Sequence, residues 1–375
     1  MQFEMMIPCL FGVESFLSRE LKSIGINVTS VEDGRVCFLG GYEEMARANL
    51  WVRTGERVLI KVAEFHASDF DTLYNGVRNA PWGELLPKNA KIPISGHCLK
   101  SKLSSSPRCR AIIKKAIADA VGEKYGITHM PEDGSEYQIR FSLLKDRVTV
   151  SIDTSGESLH KRGYRQLSNA APLRETLAAA MVYLSRWRYE DVLADPFCGS
   201  GTIPIEAAMI KRNIAPGLKR SFAFEQFDQF PKGLLETLRE EAVSLEKDVP
   251  LNIIASDINP EYVTLTAENA KKAGVGDFIH PITADAREFA STISGGTIIC
   301  NPPYGERLSD KEECAALYAD FGKAFARLDN WSAYILASSD EFQKDFGKTA
   351  DKTRKLYNGM LQCRVYQYIA KRTRG

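Results

Sequence analysis

Four apolar segments in the second half of the chain each end in a polar side chain, and this repetition is the feature that most constrains the fold. Apolar, strand-like segments alternate with segments of helical periodicity, which predicts a doubly wound α/β sheet. In such a sheet the carboxyl ends of parallel strands meet at one edge, where ligands bind. The segments are residues 192–195, ending in Asp195; 251–257, ending in Asp257; 278–285, ending in Asp285; and 297–301, ending in Asn301.

The remaining pattern of the second half agrees with this fold. Periodicity predicts helices over residues 260–273 and 312–328 and a further strand over 332–338. Residues 354–358 and 361–370 have the pattern of two strands joined at 359–360, which predicts an antiparallel hairpin at the edge of the sheet. A chain of 375 residues is long enough for two or three hydrophobic cores.

A glycine turn and a helical segment follow the first strand. The turn has the sequence DPFCGSGT over residues 195–202. Glycine lets a ligand approach the backbone closely, and a helix N-terminus favours negative charge. The turn lacks the third glycine of a dinucleotide fingerprint, which disfavours a nicotinamide enzyme. An acid ahead of the glycines suits a ligand with an amino-acid end, because Asp195 would meet its ammonium group and the turn amides its carboxylate.

The next two acids suit the nucleoside part of such a ligand. Asp257 has two oxygens that can hold both hydroxyls of a ribose, as in other doubly wound folds. Asp285 is placed to accept a hydrogen bond from an adenine amino group. Each aspartate taken singly also fits a helix N-cap. Three in succession are hard to obtain from capping alone, so the pattern favours binding.

The fourth strand runs into the sequence NPPYG at residues 301–305. The Asn301 side-chain carbonyl and the Pro302 backbone carbonyl are two acceptors in a stiff, extended segment, and Tyr304 adds an aromatic face. This combination suits a planar amine, such as the exocyclic nitrogen of a nucleobase, held for attack on an electrophile. Because the same residue types are common turn formers, a plain turn is the alternative.

The glycine turn, the acids and the octapeptide NPPYGERL at residues 301–308 together resemble the class I S-adenosylmethionine-dependent methyltransferases that modify exocyclic base amines. The resemblance implies a Rossmann-like α/β methyltransferase domain, S-adenosylmethionine as cofactor, and Asn301, Pro302 and Tyr304 as catalytic residues. Residues 171–178 resemble the segment that closes over the methionine end of the cofactor. The implied cofactor-binding residues are Glu175, Thr176, Asp195, Phe197, Gly199, Gly201, Thr202, Asp257, Ile258, Asp285 and Ala286.

The first half of the chain contains a strongly basic segment. Between residues 91 and 125, eight Lys or Arg stand against two Asp or Glu, a local balance of +6 in a chain of net charge +1. Concentrated positive charge is typical of a phosphate-binding surface, although a solvated helix face rich in Lys is the alternative. A hydroxyl-rich loop at residues 101–107 leads into a helix, whose N-terminus suits phosphate. Three further cations lie within residues 159–165.

These features resemble a THUMP domain, an RNA-binding module, in residues 81–86, 101–107 and 148–165, and residues 9–21 resemble the ferredoxin-like domain that precedes it in one family. That family is the bacterial guanine-N2 methyltransferases of the RlmL type, here in a single-unit form. The implied domains are ferredoxin-like (1–61), THUMP (62–165) and class I methyltransferase (166–375). The implied RNA-binding residues are Lys100, Lys102, Arg108, Lys114, Lys161, Arg162 and Arg165.

The family resemblance implies methyl transfer to the N2 amine of a guanine in RNA, with large-subunit (23S) ribosomal RNA as the expected substrate. Three alternatives stay open. They are a guanine-N2 methyltransferase of transfer RNA, an adenine-N6 methyltransferase that uses the same clamp, and a non-catalytic RNA-binding factor. The intact glycine turn and the intact NPPY sequence argue against the last of these.

Other residue types add little chemistry. The eight cysteines form no C-x-x-C pair, so no metal site is expected, and Cys198 and Cys300 are interpreted as small packing residues. The aromatic-rich residues 221–230 are expected to pack against a core rather than stack on bases. The absence of a signal peptide and of a membrane-length apolar run, together with unpaired thiols, favours the cytoplasm. The sequence leaves the oligomeric state open.

Overall fold

The computed structural model describes residues 1–165, 173–305, 308–359 and 361–370. These residues form two compact units, each built from discontinuous segments. The N-terminal unit comprises Met1–Pro8, Ser18–Leu159 and Ser221–Glu240, and the C-terminal unit comprises Cys9–Leu17, His160–Arg220 and Glu241–Gly375.

A mixed β-sheet forms the centre of the N-terminal unit. Its strands are β1 (Phe3–Pro8), β2 (Val28–Glu32), β3 (Arg35–Gly40), β4 (Leu59–His66), β5 (Ile94–Leu99), β6 (Ile139–Leu144) and β7 (Arg147–Asp153). They lie in the order β2-β3-β1-β4-β7-β6-β5, and neighbours are antiparallel except β5 and β6. The domain boundary expected between residues 61 and 62 falls inside β4, which pairs with both β1 and β7. One sheet therefore spans both predicted N-terminal domains.

The helices of the first 125 residues include one that carries the basic segment. They are α1 (Glu14–Ser23), α2 (Tyr42–Trp51), α3 (Phe70–Arg78), α4 (Trp82–Leu85) and α5 (Ser106–Tyr125). Helix α5 begins after the hydroxyl-rich loop and ends at Gly126, whose φ of +66° is the left-handed conformation of a glycine C-cap. Ile113, Ile117 and Val121 lie on its buried face, so its cations face solvent.

The C-terminal unit contains the predicted doubly wound sheet. Its strands are β8 (Val192–Asp195), β9 (Ile253–Asp257), β10 (Ile279–Thr283), β11 (Gly296–Cys300), β12 (Trp331–Ala337), β13 (Lys352–Asn358) and β14 (Leu361–Tyr368). They lie in the order β10-β9-β8-β11-β12-β14-β13. Strands β8 to β12 are parallel to one another, and β14 and β13 form the antiparallel edge that the sequence predicts. Every residue of β8 and β11 is buried, as expected for central strands covered on both faces.

Helices connect these strands. They are α6 (Glu175–Ser185), α7 (Thr202–Lys211), α8 (Leu234–Ser244), which is divided between the two units at Glu240, α9 (Pro260–Ala273), α10 (Leu308–Ala326) and α11 (Phe342–Asp345). The bounds of α9 agree with the prediction, because the Asn259 side chain caps its start and Gly274 ends it at a φ of +82°. Helix α10 begins before the predicted residue 312. In the part of the chain that the structure describes, no helix is long and apolar enough to cross a membrane.

The aromatic-rich residues 221–230 pack inside the N-terminal unit. Phe222, Phe224 and Phe227 are buried, and Phe227 stacks on Tyr137 with 4.4 Å between ring centroids. The expectation that these rings pack against a core is confirmed. Their core is that of the N-terminal unit, although the predicted boundaries place the segment within residues 166–375.

Candidate active site

A cavity of about 770 Å³ opens in the C-terminal unit beside the residues that follow the parallel strands. It brings together residues that directly follow β8, β9, β10 and β11, as expected for the carboxyl edge of a doubly wound sheet. The lining residues that the sequence predicts are Phe197, Gly199, Asp257, Ile258, Asp285, Ala286, Asn301, Pro302 and Tyr304. Lining residues that the sequence reasoning missed include Arg174, Tyr262, Arg287, Glu313 and Asn358.

The glycine turn after β8 has a backbone that glycine alone adopts readily. Gly199 and Gly201 have φ values of +53° and +80°, in the left-handed region. The Gly199 amide donates to Asp257 Oδ2 at 3.0 Å, which connects the turn to the end of β9. A Cβ atom added at Gly201 would lie 2.8 Å from Thr266 Cγ2, so a close approach as well as the φ value requires glycine there.

Two buried side chains of α9 hold the turn from the other side. Thr266 Oγ1 donates to the Gly199 carbonyl at 2.9 Å, and Asn269 Nδ2 donates to the Ser200 carbonyl at 3.0 Å. Threonine and asparagine three residues apart lie on the same face of a helix, here among buried alanines. The available sequence signal was the presence of these two polar residues at apolar positions of a helix, which no motif includes.

Asp195 lies beneath the turn rather than in the cavity wall. Its side chain is 2% exposed, and Oδ1 accepts a hydrogen bond from the Phe197 amide at 3.1 Å. Burial, with a smaller contribution from the charge of Asp257, raises the pKa of Asp195 well above its ordinary value. Among the described residues no basic side chain forms an ion pair with this carboxyl, so a cationic ligand group is the charge that would compensate it.

The two other predicted acids line the cavity and are already hydrogen-bonded. The oxygens of Asp257 accept from the Gly199 amide and from the Asn259 amide, each at 3.0 Å. Asp285 accepts from the Arg287 amide at 2.9 Å and pairs with the Arg287 guanidinium, which lowers the pKa of the Asp285 carboxyl. Since each carboxylate oxygen can accept about two hydrogen bonds, Asp257 retains capacity for a ligand, whereas both oxygens of Asp285 are already occupied by Arg287.

The NPPY segment is fixed by its own tyrosine and by α10. The Tyr304 hydroxyl donates to Asn301 Oδ1, and burial raises the pKa of Tyr304 well above its usual range. The Tyr318 hydroxyl donates to the Pro303 carbonyl. Tyr304 packs against the core and also forms part of the cavity wall, so it both positions Asn301 and presents a ring to the cavity.

The cysteines beside these motifs are protonated packing residues. Cys198 and Cys300 are 6% and 0% exposed. Burial raises the pKa of both thiols, which disfavours the thiolate that a nucleophile requires. The interpretation of both residues as packing side chains agrees with this.

Two predicted RNA contacts are wrong. Arg162 is buried and forms an ion pair with Glu206 at 3.2 Å. Arg165 forms an ion pair with Glu175 at 2.9 Å and donates to the Thr202 hydroxyl at 3.1 Å. Both arginines compensate buried acids of helices α6 and α7, so their guanidinium groups are not available to RNA.

Several other predicted positions lie away from the cavity wall or outside the described residues. Glu175 and Thr176 are buried at the start of α6, and Gly201 and Thr202 form the start of α7. None of the four is among the described lining residues. The first part of the 171–178 segment and residues 306–307 of NPPYGERL lie outside the described residues.

The other predicted RNA contacts are exposed. Lys102 lies in the hydroxyl-rich loop, where its amide donates to Asp146 Oδ1 at 2.7 Å, and Arg108 directly follows the loop. Lys114 forms an ion pair with Glu132 at 2.8 Å, which partly compensates its charge. The exposed set comprises Lys100, Lys102, Arg108, Lys114 and Lys161.

The strand order, the antiparallel hairpin edge and the cavity at the carboxyl edge define a Rossmann-like methyltransferase fold. The chain belongs to the RMKL-like methyltransferases, because the family model described as "RMKL-like, methyltransferase domain" matches residues 162–367. Models of the RlmL ferredoxin-like domain and the THUMP domain match residues 4–59 and 67–153. These matches confirm the family resemblance and the fold class that the sequence predicts.

Bacterial relatives match nearly all of this chain. The Bacillus subtilis protein YpsC, whose name assigns it provisionally as an RNA methyltransferase, is 42% identical over 363 residues, 96% of this chain and 94% of that protein. The ribosomal RNA large subunit methyltransferase K/L of Syntrophotalea carbinolica is 34% identical over 374 residues, 95% of this chain. The chain spans 52% of that relative, about half of its length.

Solved structures show the same fold along the whole chain. The protein SMU.472, solved in complex with SAH, is 39% identical with a TM-score of 0.94, and the match covers 100% of this chain and 99% of that one. A Listeria monocytogenes protein, named by prediction as an N6-adenine-specific DNA methylase, is 42% identical with a TM-score of 0.93. That match covers 99% of this chain and 97% of the other.

Proposed function

We propose that this protein transfers a methyl group from S-adenosylmethionine to the exocyclic N2 amine of a guanine in RNA, with large-subunit ribosomal RNA as substrate. The observation that carries the proposal is the composition of one cavity. The NPPY residues that suit a planar amine line the same cavity as the turn and acids that suit a nucleoside cofactor. These residues are Gly199, Asp257, Asp285, Asn301, Pro302 and Tyr304.

The cavity fits the cofactor on several grounds. A volume of about 770 Å³ is typical of a small-molecule site. The left-handed Gly199 leaves room for close approach, and the α7 N-terminus beside it favours a carboxylate. The similar protein SMU.472 was solved in complex with SAH. When bound, S-adenosylmethionine supplies an electrophilic methyl group.

The NPPY segment would prepare the amine for attack. The lone pair of guanine's amine is delocalised into the ring, and the amine is a poor nucleophile until its geometry changes. Asn301 Oδ1 and the Pro302 carbonyl would accept its two hydrogens, which favours a pyramidal nitrogen with an available lone pair. The Tyr304 hydroxyl fixes Asn301 in place for this task. Positioning therefore supplies most of the rate, and the target base must leave its stack to enter the cavity.

The N-terminal unit supports RNA as the substrate. Its THUMP match spans residues 67–153 and includes the exposed cations Lys100, Lys102 and Arg108. Relatives along nearly the whole chain carry the names of RNA or ribosomal RNA methyltransferases. Concentrated surface cations beside a hydroxyl-rich loop suit a phosphate backbone.

Adenine-N6 methylation is the second candidate. The same two acceptors suit an adenine amine, and the Listeria relative carries an adenine-specific name. Transfer RNA remains the alternative RNA substrate. A non-catalytic RNA-binding factor is disfavoured because Asn301, Asp257 and the glycine turn are intact and meet in one cavity.

The test is methyl transfer from labelled S-adenosylmethionine to deproteinised ribosomal RNA, transfer RNA and DNA from cells lacking this gene, followed by nucleoside analysis. We expect label in N2-methylguanosine of large-subunit ribosomal RNA. Label only in transfer RNA would assign transfer RNA as the substrate in place of ribosomal RNA, and label in N6-methyladenine would overturn the assignment of guanine as the methylated base. Cofactor binding with no label in any nucleic acid would favour the non-catalytic alternative.

A further inference from the structure

A second cavity, of about 790 Å³, lies in the C-terminal unit at the other end of the parallel strands. It is bordered by Thr297 and Ser332, the second residues of β11 and β12, whereas Asn301 directly follows the end of β11. We call it the basic groove. The lining residues that matter for its chemistry are Arg186, Arg188, Lys352, Thr353 and Arg354.

The described lining of the basic groove carries positive charge and no acid. Four cations line it, Arg186, Arg188, Lys352 and Arg354, in a chain whose net charge is only +1. Three of them, Arg186, Arg188 and Lys352, are exposed. Within the described ranges no carboxylate forms an ion pair with these three side chains. Such an uncompensated concentration of cations has a strong positive potential that attracts polyanions.

The fourth cation is fixed in place. The Arg354 guanidinium lies 5.0 Å from the centroid of the Phe16 ring and donates to the Gly12 carbonyl, both in the same unit. The groove thus combines one held guanidinium with three free cationic side chains. The exposed Thr353 also lines the groove. Arg, Lys and Thr side chains are the types that contact phosphate oxygens in nucleic-acid complexes.

Strand β13 connects this groove to the candidate active site. Its first residue, Lys352, lines the basic groove, and its last residue, Asn358, lines the cavity that contains Asn301. The two ends of β13 are about 20 Å apart at the rise of an extended strand. A nucleic-acid strand of several nucleotides is long enough to reach from one cavity to the other.

We propose that the basic groove binds the phosphate backbone of the RNA substrate, as a second contact surface beyond the THUMP region. This inference rests on the proposed function. Exposed cationic head groups favour a backbone over a small phosphorylated ligand, because small-ligand sites bury most of the ligand surface. Backbone contacts of this kind add affinity without reading sequence.

The test replaces the three exposed cations by glutamine, which keeps most of the side-chain length, in the variant R186Q/R188Q/K352Q. The matched control is K247Q/K271Q/K272Q, which removes the same charge from exposed positions of the same unit. Affinity for a mixed-sequence single-stranded RNA oligonucleotide is measured against salt concentration, and kcat/KM is measured with ribosomal RNA. Thermal unfolding verifies that both variants are folded.

We expect the groove variant to bind the oligonucleotide about tenfold to hundredfold more weakly at about 0.1 M salt, and its salt slope to fall by about 2. The control should stay within about twofold of the wild type. Equal slopes and equal kcat/KM for the two variants would overturn the proposal. Because oligonucleotide binding needs no turnover, a failure of the groove proposal is distinguished from a failure of the proposed function, which nucleoside analysis of RNA methylated by the wild type tests separately.

Discussion

The Arg165 guanidinium lies 2.9 Å from Glu175 Oε2 in the C-terminal unit, where Glu175 is buried and the Arg165 side chain is 10% exposed. Arg165 also donates to the hydroxyl of Thr202, the first residue of α7, and to the Leu173 carbonyl at 3.0 Å. Because α7 begins directly after Gly201, this pair connects the start of α6 with the glycine turn. Arg165, which belongs to a segment with the pattern of a basic RNA linker, therefore stabilises the candidate cofactor site from within the protein.

Replacing Arg165 with methionine should destabilise the protein and weaken cofactor binding. The change leaves the buried Glu175 carboxyl without its ion-pair partner, which costs about 3–5 kcal/mol. The double variant R165M/E175Q should recover part of that loss, because no charge is left unpaired. Urea unfolding and calorimetric titration with S-adenosylmethionine measure both effects. If the variant instead has unchanged stability and weaker RNA binding, Arg165 contacts RNA, as the sequence resemblance implies.

Asp195→Asn should stabilise the cofactor-free protein at neutral pH. Burial raises the folded-state pKa of Asp195, so its contribution to stability is greatest below the unfolded pKa of about 3.9 and falls as pH rises through the folded pKa. Asparagine does not titrate, and its carbonyl still accepts from the Phe197 amide. Urea unfolding at a series of pH values should show an advantage of the variant that grows from about pH 4 upward. A constant or reversed difference would contradict this.

Gly201→Ala should weaken cofactor binding more than its backbone strain alone explains. A left-handed φ costs a residue with a Cβ about 1–2 kcal/mol, and here the Cβ would also lie 2.8 Å from Thr266 Cγ2. Gly295→Ala is the matched control, since Gly295 has a φ of +87° and open space around it. We expect both variants to lose stability, with the larger loss and a cofactor Kd raised about tenfold only at Gly201. Equal losses of stability and of cofactor affinity in the two variants would show that the Thr266 side chain moves away from the added Cβ without cost.

Replacing exposed cations should weaken RNA binding, whereas replacing a buried cation should not. K100Q/K102Q/R108Q removes three exposed charges and should lower the salt slope of RNA affinity by about 2. Arg162→Gln should leave the slope unchanged but destabilise the protein, because Glu206 loses its buried partner. Fluorescence anisotropy over a salt series, with unfolding curves for each variant, provides the comparison. A reduced slope in Arg162→Gln would contradict the buried assignment.

The sheet and the cavity were largely predictable from the sequence because both depend on local pattern. Strands β8 and β11 are buried throughout, β8 ends at Asp195, and Asn301 directly follows β11. Helix α9 has clear capping residues, so its bounds agreed with the prediction. These features depend on residues close together in the chain, because apolar segments and capping residues can be recognised directly in the sequence.

Features that depend on long-range contacts were not predictable in the same way. A run of cations such as residues 161–165 has the same pattern whether it faces RNA or pairs with Glu206 on a distant helix. Phe227 was expected to be buried, but nothing local indicates that Tyr137 lies beneath it. The support of the glycine turn by Thr266 depends on two segments 67 residues apart, Gly199 and Thr266.

Asn301→Ala should abolish most turnover while leaving the cofactor site intact. Asn301 would accept a hydrogen of the amine, whereas the cofactor would be held by the glycine turn and Asp257. Loss of one positioned acceptor is expected to lower kcat by about hundredfold or more. Tyr304→Phe removes the hydroxyl that donates to Asn301 and should have a smaller effect, because the acceptor itself remains.

The most direct test measures the Kd for S-adenosylmethionine and the single-turnover rate of methyl transfer to RNA, side by side, in the wild type and in Asn301→Ala. We predict a Kd within about twofold of the wild type and a rate lower by about hundredfold or more. A Kd raised in proportion to the loss of rate, or a rate close to that of the wild type, would contradict the assignment of Asn301 to the amine.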